Sequence, residues 1–458
     1  MAVVGKNAQL PVAIVGGGFS GTLLAINLLR HGVKAVLIER DHAQLAKGLA
    51  FVTLRPEHLL NVRASNMSAF PDDLGHFQRW MGFSTSDQAN QFVPRLIYGH
   101  YLQELLREAL SAAPDNARVV ADEAVAARFE NDAITLLLAG GASIACRALV
   151  LALGNFPPPP LPVLATVPEG IYFPDPWQPG TTDNLDEVDH VVLLGTGLTA
   201  VDAVLSLDRA GYRGRITALS RRGLKPRSHA ETGPATTPVP MPTVRGSWLV
   251  RAVRKRASQV DWRVAIDELR PHTQQIWRRH DADAQRRFLR HLRPYWDVHR
   301  HRLAPQVARR IAALEAEGRL SFAGGKLTRA EVEAGGEAGA VRLHWRPRGE
   351  NAEMTIRTQR ILNCIGPEGD ITRANHPLLR NLLEQGRIRP DVHRMGLDVE
   401  QSGRLHSATG CPQDNLFAVG PVTKGEAWEI VAVPDIRRQV WNLARYLGNA
   451  HWVEGEGL

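Results

Sequence analysis

Two glycine-rich signatures, one beginning at Gly16 and the other at Gly195, constrain this chain more than any other feature. In the first, the β-branched run PVAIV (11–15) reads as a buried parallel strand. Gly16-Gly17-Gly18-Phe19-Ser20-Gly21 follows in a GxGxxG spacing. Residues 22–29 then read as a helix stopped by His31-Gly32, and residues 35–38 as a second strand ending at Glu39-Arg40. In this spacing the first glycine permits a tight turn. The second lets the backbone approach a pyrophosphate, and the third lets helix and strand pack closely. The helix N-terminus adds N–H donors and a partial positive charge for phosphates. Glu39, 18 residues past Gly21 at a strand end, can accept both ribose hydroxyls. Gly16, Gly18, Phe19, Ser20, Gly21, Glu39 and Arg40 therefore predict a dinucleotide site.

The plan recurs. Residues 191–194 read as a strand, Gly195-x-Gly197-x-x-Ala200 follows, 201–209 reads as a helix stopped at Gly211, and 215–219 as the next strand. Alanine takes the place of the third glycine. Where the first unit has an acid, the second has Ser220-Arg221-Arg222. An acid there would repel a 2′-phosphate, whereas guanidinium groups can grip one. Gly195, Gly197, Ala200, Ser220, Arg221 and Arg222 thus predict a second dinucleotide site that prefers NADPH, with NADH possible. An acid-bearing first site and an arginine-bearing second site are arranged for FAD plus NADPH.

These units predict an α/β fold of two Rossmann-like dinucleotide-binding domains. Nine prolines between residues 155 and 179 read as an extended crossing between them. Strands return after 340, and a final helix opens at Pro434. The first domain is therefore expected to be discontinuous, 1–155 plus 330–458. The second is expected at 156–329 and to carry a basic helical insert at about 246–318.

Composition excludes several alternatives. The three cysteines, Cys146, Cys364 and Cys411, are scattered, so no disulfide framework, dithiol pair, iron–sulfur cluster or Cys-rich zinc site is expected. No apolar run is long enough to cross a membrane, no leader is expected at the N-terminus, and the chain reads as cytoplasmic. Net charge is +8, concentrated in the arginines of the insert. No nucleic-acid motif accompanies it, so a solvated face or an anion-attracting funnel is expected instead. Within the insert, residues 290–302 bring together histidines, an aspartate and two aromatics. His299 is the candidate site residue there. The run serves equally as a pocket lining or as a solvated helix, and the spacing of His299 and His301 suits no helical metal pair.

At this point the chain resembles the two-dinucleotide-domain FAD/NAD(P)-binding flavoproteins, near the N-hydroxylating and Baeyer–Villiger-type monooxygenases. The matching stretches are 16–21, 58–62 with 67–73, 92–95 with 98–102 (including Tyr98), 151–155, 195–200, and 420–439. The resemblance implies that Gly154 lies where the chain crosses between domains near the flavin. It implies that Asn61 to Met67 run beside the isoalloxazine, with Pro434 near its pyrimidine end. Gly420 matches a motif that normally reads Gly-Asp, with Pro421 in place of the acid. Trp428 and Glu429, beside that motif, are candidate site residues.

The resemblance also implies the chemistry: FAD reduced by NAD(P)H, and O2 activated as a C4a-(hydro)peroxyflavin that hydroxylates a small polar nitrogen-containing substrate. Urate to 5-hydroxyisourate is the first expectation, because a small planar anion suits a basic pocket. N-hydroxylation of an amine or amino acid comes next. A flavin reductase without oxygenation and a non-enzymatic nucleotide-binding sensor remain open. The expected partners are the substrate and O2, with the chain as a monomer or small homo-oligomer and without nucleic acid or membrane.

Overall fold

The structure, a computed structural model, describes residues 10–130, 133–232, 238–333 and 339–449. The expected absence of a leader falls on residues 1–9, outside the described residues. Strand β1 (Val12–Val15), helix α1 (Phe19–Arg30) and β2 (Ala35–Glu39) form the first βαβ unit. Both strands are almost wholly buried, as parallel strands covered on two faces must be. Helix α2 (Arg95–Ala112) leads to β3 (Ala117–Ala121). Then β4 (Ala124–Glu130), β5 (Ala133–Leu138) and β6 (Ser143–Cys146) make a small antiparallel sheet. Strand β7 (Ala148–Leu151) returns beside β1.

The second half repeats this route. After β8 (Tyr172–Phe173) come β9 (His190–Leu194), α3 (Leu198–Arg209) and β10 (Arg215–Ser220). The insert follows as α4 (Gly246–Ala257), α5 (Trp262–Asp267), α6 (Thr273–Arg278), α7 (Ala282–His291) and α8 (Arg293–Arg300). Asp261 and Asp281 cap α5 and α7 by accepting from Arg263 N and Ala284 N. Helix α9 (Pro305–Ala316), with proline in its first turn, crosses to β11 (Leu320–Val332), which lies parallel to β10. Antiparallel β12 (Val341–Pro347) and β13 (Met354–Thr358) lead to the return strand β14 (Arg360–Asn363) beside β9. The chain then adds β15 (Arg404–His406) and β16 (Pro412–Ala418) to the first sheet and ends in α10 (Val433–Leu447).

The sheet orders are β15-β16-β7-β1-β2-β3 and β13-β12-β11-β10-β9-β14-β8. Each contains the same parallel core, return–first–second–third strand: β7-β1-β2-β3 and β14-β9-β10-β11. The second sheet therefore keeps the chain through Asn363, and the first sheet resumes beyond it rather than near residue 330. The reason is topological. A doubly wound unit needs a return strand on the far side of its first strand, and β14 is that strand.

The first domain grips the second through α3. Arg95, the first residue of α2, pairs with the buried Asp202 at 2.7 Å. His58 Nε2 lies 2.8 Å from Ser206 Oγ and 3.2 Å from the Asp202 carbonyl.

Candidate active site

Backbone geometry builds the first nucleotide seat. Gly16 has φ +104, and a Cβ there would lie 2.3 Å from the carbonyl oxygen of Ala152, at the end of β7. Only glycine tolerates that conformation at that distance. Gly18 caps α1 and offers no side chain to its first turn, which leaves the N–H groups there to a ligand. Glu39 is held at the strand end, accepting Gly17 N at 2.7 Å and Asp41 N at 2.9 Å. Ser20 meets the C-terminal motif: a Cβ on Gly420 would sit 2.3 Å from Ser20 Oγ. Pro421 leaves no carboxylate in that turn. Instead Gln439 of α10 secures it, accepting Gly420 N at 2.7 Å and donating to Thr423 Oγ1 at 3.0 Å. An uncapped helix start, a glycine cradle and a strand-end carboxylate fit FAD.

The second seat has the same construction. Gly195 has φ +127, and a Cβ there would lie 2.2 Å from the Cys364 carbonyl, just past β14. Gly197 caps α3 without a side-chain contact, and Ala200 is wholly buried beneath the turn. Ser220 Oγ lies 2.9 Å from Thr196 Oγ1 and accepts Gly223 N at 3.0 Å. The two arginines part company. Arg222 donates to Tyr295 OH at 3.3 Å and the Arg290 carbonyl at 3.2 Å, both in the insert. Arg221 is exposed and has no ion pair among the described residues.

Between the seats, the insert closes on the C-terminal motif. Trp428 is buried and stacks on Trp277, with centroids 4.9 Å apart, while Phe288 meets it edge-on at 5.5 Å. Trp277 Nε1 donates to the Gly425 carbonyl at 2.8 Å, and Arg278 Nε to Glu426 at 2.5 Å. Glu429 is the hub. Its buried carboxylate accepts from Trp296 Nε1 and from Arg300 Nε at 3.1 Å, with His301 Nε2 at 3.9 Å. At the start of α10, Asp435 lies 3.9 Å from Arg270, whose buried Nη2 has no hydrogen-bond partner. Lys424 Nζ donates to Asn155 Oδ1 at 3.1 Å, one residue past Gly154, where φ is +68.

These groups line a crevice rather than a solid core. Burial pushes Asp297 up to about 6, with Glu429 adding to the rise and Arg293 opposing it. Burial pushes His301 down to about 3, aided by Arg300, and Lys424 down to about 8, aided by Arg293. Burial also raises Asp435 and lowers Arg270. Yet Arg270, Asp297, His301 and Asp435 keep 25–38% of their side-chain surface. These side chains are thus poorly hydrated yet still reachable from solvent. A separate cavity of about 370 Å³, lined by Arg55, Trp177 and Ser206, lies against the far half of α3 and contains none of these groups.

The expected site residues divide accordingly. Trp428, Glu429 and Pro434 stand at the crevice, with Gly154 at its edge. Asn61 sits at the junction of both domains and the insert, its carbonyl 3.0 Å from His229 Nε2. Five expected side chains are placed elsewhere. Met67 is 1% exposed and part of the first core, so its side chain meets no open site. Tyr98 is wholly buried among Phe19, Phe51 and Phe77; it packs beneath α1 instead of touching a nucleotide. His299 turns its ring to Trp262 at 5.0 Å and bonds the Tyr295 carbonyl through Nδ1 at 2.7 Å. Helical phase brings His301 to Glu429 in its place. Phe19 is likewise buried, and Arg40 pairs with Glu123 at 3.1 Å on the surface. Sequence reasoning missed Arg270 and Lys424 altogether. Asp297, Arg300 and His301 lay within the polar run it singled out. No cluster of three metal-ligating side chains occurs among the described residues, and no helix there is long and apolar enough to cross a membrane.

Residues 13–156 match a family model described as FAD-NAD(P)-binding. A search of curated proteins gives no match. Among solved structures, the chain is similar to L-lysine 6-monooxygenase from Pseudomonas syringae (TM-score 0.66, 14% identity, 97% of this chain and 100% of that one). It is similar to the ornithine hydroxylase PvdA from Pseudomonas aeruginosa (0.61, 15%, 96% and 99%). It is also similar to the bacillithiol disulfide reductase Bdr from Bacillus cereus (0.55, 16%, 96% and 99%). Identities this low carry the fold alone. Residues 13–156 therefore match an FAD-NAD(P)-binding family model, and over nearly its whole length the chain shares the fold of these solved structures.

Proposed function

We propose that the protein is a flavin-dependent, NADPH-consuming monooxygenase that hydroxylates the nitrogen of a small amine. The observation that carries this reading is the pair of part-exposed carboxylates at the crevice, Asp297 and Asp435. An ammonium group entering there meets acids already desolvated by the fold, where charge pairing is strongest.

Bound FAD would accept hydride from the nicotinamide and activate O2. The rest falls to the chain. Gly16–Gly21 with the start of α1 hold the pyrophosphate, Glu39 the ribose, and the turn at Gly420 closes over Ser20. Gly195, Gly197 and Arg221 hold the nicotinamide nucleotide. The Trp277–Trp428–Phe288 stack excludes water from one wall. Asp297 is the group assigned to accept, at its carboxylate, the proton that the substrate nitrogen must lose before it is oxidised.

Two similar structures bear the names of enzymes acting on lysine and ornithine, which supports an amine. Urate, the first expectation from sequence, finds no counterpart among those names. The disulfide-reductase likeness fits less well. Cys146 is buried in β6, Cys364 is buried just past β14, and Cys411 is exposed, so no two cysteines form a dithiol.

The test is coupled turnover. Flavin-loaded protein is given NADPH, isotopically labelled O2 and a panel of ornithine, lysine, cadaverine, putrescine and urate. Labelled hydroxylamine from one amine supports the reading. Label in a urate product, or NADPH oxidation indifferent to every amine, refutes it.

A further inference from the structure

Helix α4 carries Arg251, Arg254, Lys255 and Arg256 and no acid, with Arg245 immediately before it. None of its residues is fully buried. One face is occupied: Leu249, Val250 and Val253 are half-buried, the helix packs against α5, and Arg256 pairs with Glu268 at 2.8 Å. The other face points outward. At 100° per residue it holds Arg254, Arg251, Lys255, Trp248 and Arg245 in order around the helix. All five are exposed. Trp248 is 65% exposed, and Val244 beside it is 42% exposed. The Arg251 guanidinium stacks 4.9 Å over the Trp248 ring. Among the described residues, Arg245, Arg251, Arg254 and Lys255 have no ion-pair partner, although the protein pairs most of its other arginines. The crevice does not use this face.

We propose that this face docks the protein on an anionic phospholipid surface. Four uncompensated cations on one convex face are complementary to a negative headgroup layer, and each is worth roughly fivefold in partitioning. An indole in their midst suits headgroup depth, where its apolar body and N–H are both accommodated. The long arginine and lysine stems around it can reach phosphates while the ring inserts. A nucleic-acid groove is served less well, because the bulky ring stands where the helix would have to approach most closely. Attachment would be peripheral.

Flavin-loaded full-length protein is co-sedimented at low salt with phosphatidylcholine vesicles, with mixed phosphatidylcholine–phosphatidylglycerol vesicles, and separately titrated with a labelled DNA duplex. Binding to the mixed vesicles alone, weakened at high salt, is expected. The R251E/R254E variant should lose at least roughly tenfold in partitioning. Trp248→Ala should lose the fluorescence quenching by brominated lipid that the native protein gives. Both variants should retain native flavin absorbance, thermal unfolding and NADPH oxidation, which separates surface loss from misfolding. No binding to the mixed vesicles, equal binding by R251E/R254E, or tighter binding to DNA than to vesicles at the same salt would overturn the proposal.

Discussion

Arg300 donates to the Glu429 carboxylate at 3.1 Å, and Glu429 meets it from a left-handed backbone, φ 67. The two residues lie 129 positions apart, one in the insert and one beside the flavin motif. A non-glycine residue in that conformation costs on the order of 1–3 kcal/mol and persists where its surroundings over-determine it. Here Trp296, Arg300 and the Trp428–Trp277 stack do so.

Glu429→Ala leaves the Arg300 guanidinium buried without its acid. A loss of about 3–5 kcal/mol is expected for removing one partner of a buried pair. Glu429→Gln keeps an acceptor for Trp296 and should lose less. Denaturant unfolding of the flavin-loaded protein measures both. An alanine variant as stable as the native protein refutes the latch.

Gly16→Ala and Gly195→Ala should fail differently, although their geometry is nearly the same. A Cβ at the first position strikes the Ala152 carbonyl and at the second the Cys364 carbonyl. The first variant is expected to purify without yellow colour. The second should keep its flavin and lose reduction by NADPH. Absorbance spectra and anaerobic reduction distinguish them, and a yellow Gly16→Ala protein contradicts the assignment of the first seat.

Arg221 alone of the strand-end pair is free for a 2′-phosphate. Arg221→Ala is expected to raise the KM for NADPH by one to two orders of magnitude, about the worth of a charge-assisted phosphate contact, and to leave that for NADH nearly unchanged. Arg222→Ala should affect both nucleotides alike, since Arg222 braces the insert. Equal effects of Arg221→Ala on the two KM values exclude the phosphate role.

His58 couples domain docking to pH. Burial, with help from Arg95, pushes its pKa down to about 4 from an ordinary 6.5. Below pH 6.5 the unfolded chain binds a proton that the folded one refuses, so stability is lost as pH falls, by up to roughly 1.4 kcal/mol per pH unit, down to about pH 4. The stability advantage of the native protein over His58→Gln should therefore shrink across that window. A constant difference between pH 7 and 4.5 rules the coupling out.

Both nucleotide seats were legible in the chain because they are local. A strand, a glycine turn, a helix and the next strand end fall between Val12 and Glu39 in one unit and between His190 and Ser220 in the other. The third strand and its return were harder. Residues 341–363 look like any strands, and only pairing assigns them to the second sheet. Met67 and Tyr98 misled because a motif match records neighbourhood without recording which way a side chain faces. His299 misled because one helical step of two residues exchanges it for His301.

By itself, the amino-acid order determined that two glycine-turn units are present, which one carries the acid and which the arginines, and that the three cysteines lie far apart in the chain. Tertiary structure alone decided what surrounds the place where they meet. Asn155, Arg270, the pair Asp297 and His301, and the run from Lys424 through Glu429 to Asp435 come from four separate segments, and no spacing rule joins the four. They become neighbours only when the insert folds back over the C-terminal turn, and the altered proton affinities of Arg270, Asp297, His301, Lys424 and Asp435 arise from the burial that this closure imposes.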